Sequence, residues 1–303
     1  MRSILMSGLS ACALLALSAC GNPAEEPAED TVAEAPETMV EAEPAPDYSD
    51  ITTVLAAEWR GEAAERDAWR HPAETLEFFG VDPSSTIVEI WPGGGWYSDV
   101  LAPWISANGG TYVAAHFPAN STSAYRQRSR ASFEERVAAN AAYGEPVIAD
   151  FNAEIGLVVP AGSVDAVLTF RNIHNWMAGG SAERAFAEFY TALKPGGIMG
   201  VVEHRLPSTR EQDPMAGSGY VQQDYVIAMA EEAGFEFVEA SEINANPADT
   251  ADHPMGVWTL PPTRRSPGED DPRAEGFNRE QIDAIGESDR MTLLFRKPET
   301  VEE

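Results

Sequence analysis

The stretch that most constrains the fold is a short apolar run that ends at a proline and three consecutive glycines. Residues 86–90 are apolar or β-branched apart from Glu89, and glycines occupy positions 93–95. Such a run fits a buried strand of a parallel sheet better than a helix. The glycines allow positive φ angles and a close approach of the backbone to a ligand. A helix beginning near Ser98 would point free N–H groups at this turn, so the stretch predicts a small-molecule site.

The first residues indicate a secretory signal peptide. Arg2 precedes an apolar run over residues 4–17, which is too short for a comfortable membrane span. The following Leu-Ser-Ala-Cys at 17–20 resembles the bacterial lipobox, although an ordinary signal peptide could also contain Cys20. We expect residues 1–19 to be removed and Cys20 to be lipidated. The domain would then be anchored to a bacterial membrane and would face the periplasm, with no cysteine left for a disulfide or a metal site.

The next segment is acidic and poor in apolar side chains. Residues 21–50 contain ten acidic residues and no basic one, so they cannot repay the entropy of ordering. We interpret residues 20–50 as the lipidated cysteine and a disordered Ala/Pro/Glu tether. The formal net charge of the whole chain is −29. This charge argues against a nucleic-acid partner and against binding to an anionic membrane surface.

Residues 51–298 have the size of one domain, followed by an acidic tail at 299–303. Strands alternate with helices in the predicted order, which indicates an α/β fold with a doubly wound, seven-stranded, mostly parallel sheet and N-terminal helices. The carboxyl ends of the parallel strands then meet at one edge, where ligands bind. The predicted strands are 86–90, 111–115, 146–148, 163–170, 198–203, 235–241 and 291–296; the main predicted helices are 52–69, 72–80, 98–106, 132–143, 181–193 and 220–233.

Several motifs resemble the class I S-adenosylmethionine-dependent methyltransferases. Residues 89–95 (EIWPGGG) resemble the glycine motif of that family, acidic-x-x-x-Gly-x-Gly, and LKPGG at 193–197 resembles its turn into the fifth strand. RHP at 70–72 and PGGGWY at 92–97 are more narrowly similar to a bacterial group called predicted methyltransferases. The resemblance covers residues 70–298. It implies that S-adenosyl-L-methionine is the cofactor, bound by Glu89, Gly93, Gly94, Gly95, Trp96, His116, Asp150, Phe151, Arg171 and Asn172.

Two features depart from the family. The position after the second strand, where the family places an acidic residue on the ribose, is His116 here. The predicted compartment also lies outside the cytoplasm, where S-adenosylmethionine is made. These departures motivate an alternative function, a non-catalytic binding or sensing lipoprotein on the same fold.

Two histidines at strand ends are the candidate catalytic groups. His174 follows the fourth strand and His204 ends the fifth, and an unperturbed imidazole titrates near neutral pH. Either histidine could act as a general base or orient the methyl acceptor, and either could instead be bonded to backbone. His116, His174 and His204 could also converge with a carboxylate, but their spacing matches no metal motif, so we predict no metal.

Aromatic residues and one long loop complete the predicted site. Trp96, Tyr97 and Trp176 either line a pocket for an aromatic group or belong to the core. Residues 246–265 form a long Pro-rich segment of the kind that often closes over a substrate, and Trp258 is its most prominent side chain. Leu260 could join that closure, and the arginines at 264–265 either hold an anion or lie in solvent.

The sequence therefore supports three possible functions, ordered from the best supported to the least. The first is a tethered, monomeric S-adenosylmethionine-dependent methyltransferase acting on a small molecule. The second is the non-catalytic binding protein. The third, a nicotinamide-binding enzyme, is weaker, because the third glycine of that fingerprint falls on Ser98 and the later acidic residue is missing.

Overall fold

The computed structural model describes residues 46–299. The predicted signal peptide, the lipidation site at Cys20 and most of the predicted tether therefore lie outside the described residues. Across residues 46–299, none of the helices has the length and apolar character needed to cross a membrane.

Within residues 46–299, a nine-stranded sheet forms the centre of the domain. The strands are β1 (Thr86–Ile90), β2 (Thr111–His116), β3 (Val147–Asn152), β4 (Gly156–Leu157), β5 (Val164–Phe170), β6 (Leu193–Leu206), β7 (Val221–Gln222), β8 (Glu236–Ser241) and β9 (Arg290–Arg296). Their order is β4-β3-β2-β1-β5-β6-β9-β8, with β7 beside β6. β3, β2, β1, β5 and β6 are mutually parallel, whereas β9 is antiparallel to both of its neighbours. The predicted doubly wound, mostly parallel sheet is confirmed, with two short strands, β4 and β7, beyond the seven expected.

Helices cover both faces of this sheet. They are α1 (Ile51–Leu55), α2 (Asp67–Arg70), α3 (Pro72–Phe79), α4 (Ser98–Ala107), α5 (Ala124–Ala139), α6 (Ile173–Ala178), α7 (Ala182–Ala192), α8 (Gln223–Glu232) and α9 (Arg279–Asp283). One buried cluster joins the sheet to α6, α7 and α8, and it includes Trp176, Phe186 and Phe189. A second cluster joins the opposite face to α1, α3 and α4, and it includes Leu76 and Leu101. Burial of apolar side chains on both faces explains why the strands are nearly continuous apolar runs.

Three predicted helices have different limits in the structure. The helix predicted over 52–69 is broken, because Gly61 adopts a non-helical conformation (φ 44°, ψ −135°) within a 3-10 segment, Glu58–Arg66. The helix predicted from 132 begins at Ala124, because the Ser123 side chain caps it by accepting a hydrogen bond from the Arg126 N–H at 3.5 Å. The helix predicted from 220 begins at Gln223, after the short strand β7.

Two further differences concern strand ends that border the site. β3 continues to Asn152 rather than ending at 148. The segment after β5, expected as loop, contains the short helix α6, which carries His174. The end of β3 and the segment after β5 therefore bring polar side chains, such as His174, to the edge of the sheet where β1 and β5 end.

The glycine turn after β1 has the predicted form. Positive φ angles occur at Trp91 (44°), Gly93 (60°) and Gly95 (84°), and α4 begins at Ser98. A Cβ at position 95 would lie 2.8 Å from the Cδ atom of the Arg136 side chain, and the positive φ of 84° favours glycine there. The chain thus reverses tightly between strand and helix and leaves a cleft above the turn.

Candidate active site

The cleft above the glycine turn is a cavity of about 430 Å³. The ends of β1 and β5, the start of α4, the N-terminal segment around α2 and the loop after β8 form its walls. Among its lining residues are Arg66, Arg70, Glu89, Trp91, Gly93, Gly94, Trp96, Tyr97, Asp99, Arg136, Phe170, Arg171, Asn172, His174, His204 and Trp258.

Two glycines leave room for a ligand on the floor of this cavity. A Cβ added at Gly93 or Gly94 would meet no atom within 4 Å, in contrast to Gly95, where the Arg136 side chain is in contact. Packing therefore does not explain the absence of a side chain at Gly93 and Gly94. Both residues line the cavity, so the open space beside them is accessible to a bound molecule.

Glu89 forms a buried polar network beneath the turn. Its Oε2 atom accepts hydrogen bonds from the Ser98 hydroxyl at 2.8 Å and from the Tyr112 hydroxyl at 2.5 Å. Burial raises the pKa of Glu89 to about 7, although the two hydroxyl hydrogen bonds act in the opposite direction. Within the described chain the Oε1 atom accepts no hydrogen bond, and the residue lines the cavity, so this oxygen can serve a ligand.

His174 and Glu203 form a buried pair at the cavity wall. The Nδ1 atom of His174 lies 3.0 Å from Oε1 of Glu203. Glu203 also accepts hydrogen bonds from the backbone N–H groups of Ile173 (2.6 Å) and His204 (2.8 Å). A carboxylate surrounded by donors favours the tautomer in which Nδ1 carries the proton and Nε2 can accept one. The geometry is that of a general base held in orientation by a carboxylate.

His204 also lines the cavity, but in a different environment. Its Nδ1 atom lies 2.5 Å from the Ser288 hydroxyl, and its ring centroid is 5.5 Å from that of His174. Burial, helped by the proximity of His174, lowers the pKa of His204 well below its ordinary value. His204 is therefore a neutral hydrogen-bonding group at neutral pH.

The ligand atoms of His174, Glu203 and His204 lie within 4.8 Å of one another, which is close enough for a metal ion. Both carboxylate oxygens of Glu203 already accept protein hydrogen bonds. A metal could use this carboxylate only if some of those bonds were broken, so the chemistry of the cluster favours a positioned histidine.

A second cavity of about 440 Å³ adjoins the first. Trp91 lines both cavities, and its Nε1–H donates to the backbone oxygen of Phe151 at 3.1 Å. Its indole also lies near the rings of Phe117 and Trp176, with centroids 4.9 and 5.7 Å away. Trp91, Phe151 and Trp176 are the aromatic residues that line the second cavity, among polar side chains, and aromatic rings suit a flat ring system.

The predicted site residues divide into three groups. Glu89, Gly93, Gly94, Trp96, Arg171, Asn172, His174 and His204 line the first cavity. Phe151 and Trp176 line the second cavity, and both also belong to the core. Gly95, His116 and Asp150 line neither of the two cavities.

His116 and Asp150 are occupied by protein contacts. The Nδ1 atom of His116 accepts a hydrogen bond from the Phe117 N–H at 2.7 Å, and its buried Nε2 atom has no partner in the described part of the chain. Burial lowers the pKa of His116 to about 4, so the ring is neutral. Asp150 is paired with Arg130 at 2.9 Å. Neither side chain is placed to grip a ligand in the first cavity.

The loop at 246–265 contributes one wall of the first cavity. Its 3-10 segment, Gly256–Thr259, brings the Trp258 ring to 6.1 Å from that of His174. Leu260 is buried without lining the cavity. Arg264 and Arg265 are exposed and do not line the cavity, and Arg264 pairs with Asp283, in agreement with the solvent-exposed alternative.

Sequence reasoning missed the basic side of the site. Arg66 and Arg70 line the cavity, and neither was predicted to do so. Their i, i+4 spacing would place them on one face of a helix, which was an available signal. Asp99 and Arg136 were also missed; they pair at 2.9 Å at the start of α4.

Comparisons with known proteins agree with this geometry. Residues 88–201 match a family described as "Methyltransferase domain". A putative sarcosine dimethylglycine methyltransferase from Galdieria sulphuraria is similar in structure, with 16% identity, a TM-score of 0.51, and coverage of 82% of this chain and 91% of that chain. No curated protein matches the chain in sequence.

Two other solved structures reach a similar score. The [4+2]-cyclase SpnF has 17% identity and a TM-score of 0.50, with 76% of this chain and 81% of that chain covered. A phosphoethanolamine N-methyltransferase 2 from Haemonchus contortus, in complex with S-adenosylhomocysteine, has 17% identity and a TM-score of 0.50, with 84% of this chain and 60% of that chain covered. Because one of these is a cyclase, the shared fold does not by itself fix the reaction. The chain has the mixed α/β Rossmann-like methyltransferase fold, and residues 88–201 match the methyltransferase domain.

Proposed function

We propose that this protein is an S-adenosylmethionine-dependent methyltransferase that acts on a small molecule. The observation that carries the proposal is the open space at Gly93 and Gly94, in a cavity that His174 also lines. The match of residues 88–201 to the methyltransferase domain supports it, because that range contains both the glycine turn and His174.

The residues present fit the proposed cofactor. Gly93 and Gly94 would accept it at the floor of the first cavity, where Oε1 of Glu89 can accept a hydrogen bond from its amino group. The second cavity would hold the adenine beside its aromatic residues, and the buried Nε1–H of Trp176, which has no partner among the described residues, is a donor suited to a purine nitrogen. When bound, the sulfonium supplies an electrophilic methyl group for in-line displacement, in which positioning is a large part of catalysis.

His174 would remove the acceptor's proton. With Nδ1 donating to Glu203, Nε2 is the atom that takes the proton, and the Glu203 carboxylate stabilises the resulting imidazolium. Neutral His204 would hydrogen-bond the acceptor without competing for that proton. The enclosure by Trp258 would limit access of water to the same wall.

Isothermal calorimetry with S-adenosylhomocysteine tests the proposal. We expect binding to the wild type and a loss of affinity of about tenfold or more in Gly93→Val, since the new side chain would fill ligand space. Gly162→Val is a matched control: Gly162 is exposed like Gly93, with nearly the same φ (61° against 60°) and equally open surroundings, but it lies outside the cavity. Absence of binding by the wild type at high micromolar ligand, or equal losses in both variants, would contradict the proposal.

We also propose that the domain is a monomer tethered to the membrane through Cys20, facing the periplasm. The lipobox-like sequence at 17–20 supports the anchor. Membrane fractionation of cells expressing the wild type and Cys20→Ser tests it. The wild type should sediment with membranes and the variant should be released, and equal distribution of the two would count against the anchor.

A second candidate function is binding or sensing without catalysis. It is favoured by His116, which is neutral, buried and outside the cavity, so that the end of β2 offers no carboxylate to a ribose. Mass spectrometry of the native purified protein would then find a bound compound unrelated to S-adenosylmethionine. Detection of methyl transfer would eliminate this alternative.

A further inference from the structure

One wall of the first cavity carries an excess of guanidinium groups. Arg66, Arg70 and Arg171 all line it. The whole chain has a net charge of −29, so these cations stand out against an acidic background. An acidic surface repels anions, and an inward cluster of arginines creates a local region of the opposite sign.

A single carboxylate balances most of this cluster. Glu287 accepts from Nε of Arg66 at 2.6 Å and from Nε of Arg70 at 3.0 Å, and it also pairs with Arg290. The carboxylate is buried, as are Arg70 and Arg290. Three guanidinium groups therefore share one negative charge, which leaves a positive excess in a poorly solvated region.

Several guanidinium donors of the cluster remain without a partner. Arg70 is 2% exposed, and neither its Nη1 nor its Nη2 atom has a hydrogen-bond partner among residues 46–299. The Nη2 atom of Arg66 is likewise unpaired within the part of the chain that the structure describes. The Trp96 ring, 4.6 Å from the Arg70 guanidinium, holds that group through a cation–π contact that leaves the Nη donors free. Unpaired buried donors are costly, so a ligand that accepts from them is expected.

Arg171 adds a fourth cation beside the proposed base. It has a positive φ of 63°, and its guanidinium makes no hydrogen bond or ion pair with residues 46–299. Burial and the nearby Arg290 lower its pKa to about 10, which reflects the crowding of like charges. Arg171 precedes α6, the helix that carries His174, so both side chains belong to one wall.

We infer that Arg66, Arg70 and Arg171 bind an oxyanion, a carboxylate or a phosphate-type group, on the methyl acceptor. This inference rests on the proposed function and names its substrate class as anionic small molecules. The planar guanidinium fork matches such groups in bidentate fashion. Because Arg171 lies on the His174 wall, the anion would anchor the molecule that reacts there.

Inorganic sulfate is a suitable probe, since it presents the same oxygen geometry without requiring the unidentified acceptor. Calorimetric titration of the full protein with sulfate, at constant ionic strength set by chloride, measures the site directly. Arg70→Gln and Arg171→Gln remove one guanidinium each. Arg171→Gln is the safer variant for folding, because the Arg171 guanidinium has no partner within the described residues and its backbone N–H bond to Val202 is kept. Arg273→Gln is the matched control, since Arg273 is an exposed arginine paired with Asp271 away from the cavity.

We expect sulfate to bind the wild type and the Arg273→Gln variant equally, and each cavity variant to lose about tenfold in affinity, as for a lost charge-assisted contact. We also expect sulfate to bind equally well in the presence of saturating S-adenosylhomocysteine. Equal sulfate affinity in all four proteins would overturn the inference.

A second arm separates the acceptor from the cofactor. If sulfate competed with S-adenosylhomocysteine, and Arg70→Gln weakened S-adenosylhomocysteine but not 5′-methylthioadenosine, which lacks the carboxylate, the anion would belong to the cofactor. The assignment to the acceptor would then be wrong. If sulfate bound as expected while S-adenosylhomocysteine did not bind at all, the oxyanion site would stand and the proposed cofactor would fail.

Discussion

Replacing Glu89 by glutamine should change how stability depends on pH. Glutamine is nearly isosteric with the protonated carboxylic acid: its oxygen can accept from Ser98 and Tyr112, and its NH₂ group carries the donor. The substitution therefore fixes position 89 in a neutral form. It removes the ionisable carboxyl group of a side chain that is only 2% exposed.

The size of the effect follows from the raised pKa. The pKa of Glu89 rises from 4.5 to about 7 on folding, because burial disfavours the charged form. At about 1.4 kcal/mol per pKa unit, the free energy of unfolding of the wild type loses about 3 kcal/mol through this residue as pH increases. The contribution is fully present below pH 4.5 and is lost as pH passes through about 7. Relative to the wild type, Glu89→Gln should thus gain about 3 kcal/mol between pH 4.5 and pH 8.

Urea unfolding monitored by tryptophan fluorescence at intervals from pH 5 to pH 8 measures this difference. Glu239→Gln is the control, because Glu239 is exposed on β8 and its carboxylate makes no contact with the buried network. The stability difference between that control and the wild type should stay constant over the same range. A Glu89→Gln difference that is equally flat would refute the assignment of a buried, proton-binding carboxyl.

Three further results follow from the packing and the histidines. His116 should titrate near pH 4 in an NMR experiment on the imidazole nitrogens, because burial and the Arg130 charge disfavour its protonated form; a midpoint above pH 6 would contradict the buried position. Gly200→Ala should destabilise the domain by about 1–3 kcal/mol, since the new Cβ would lie 2.6 Å from the Phe79 ring. An unchanged urea unfolding curve would contradict this close packing of Phe79 against position 200. Glu203→Ala should lower the free energy of unfolding by at least about 3 kcal/mol, because it leaves the Ile173 and His204 N–H groups and the His174 ring unpaired in the interior. Ser288→Ala removes one hydroxyl beside His204 and should lower it by less. Equal unfolding midpoints for the two variants would argue against the Glu203 network.

The sheet was predictable because its strands are buried on both faces. The apolar run before the glycines was predicted to be a buried strand of a parallel sheet, and in the structure it is β1, at the centre of the sheet. Two-residue strands such as β4 and β7 carry no periodicity, so no pattern could indicate them. The start of α5 was missed for a related reason: the helix is largely polar, with Arg130 and Phe133 as its buried residues, so apolar spacing gave little signal.

The site was predictable where residues follow strand ends directly. His174 and His204 reached the same cavity because parallel strands end at one edge. Arg70 and Glu287 could not be connected in this way, since they are 217 positions apart in the sequence. They come into contact only because β9, which follows Glu287 in the chain, pairs with β6 in the antiparallel direction. The glycine turn located the floor of the site, whereas the charge on its wall depends on tertiary contacts that local sequence does not encode.

Trp91 has a consequence for the shape of whatever binds. It is a bulky residue in the left-handed region, a conformation that costs of order 1–3 kcal/mol, and its indole is fixed to Phe151 between the two cavities. A molecule that occupied both cavities would have to bend around this ring or displace it. Binding affinity would then depend on whether a ligand can adopt a bent shape as well as on its charge, and a rigid, straight ligand would be confined to one of the two cavities.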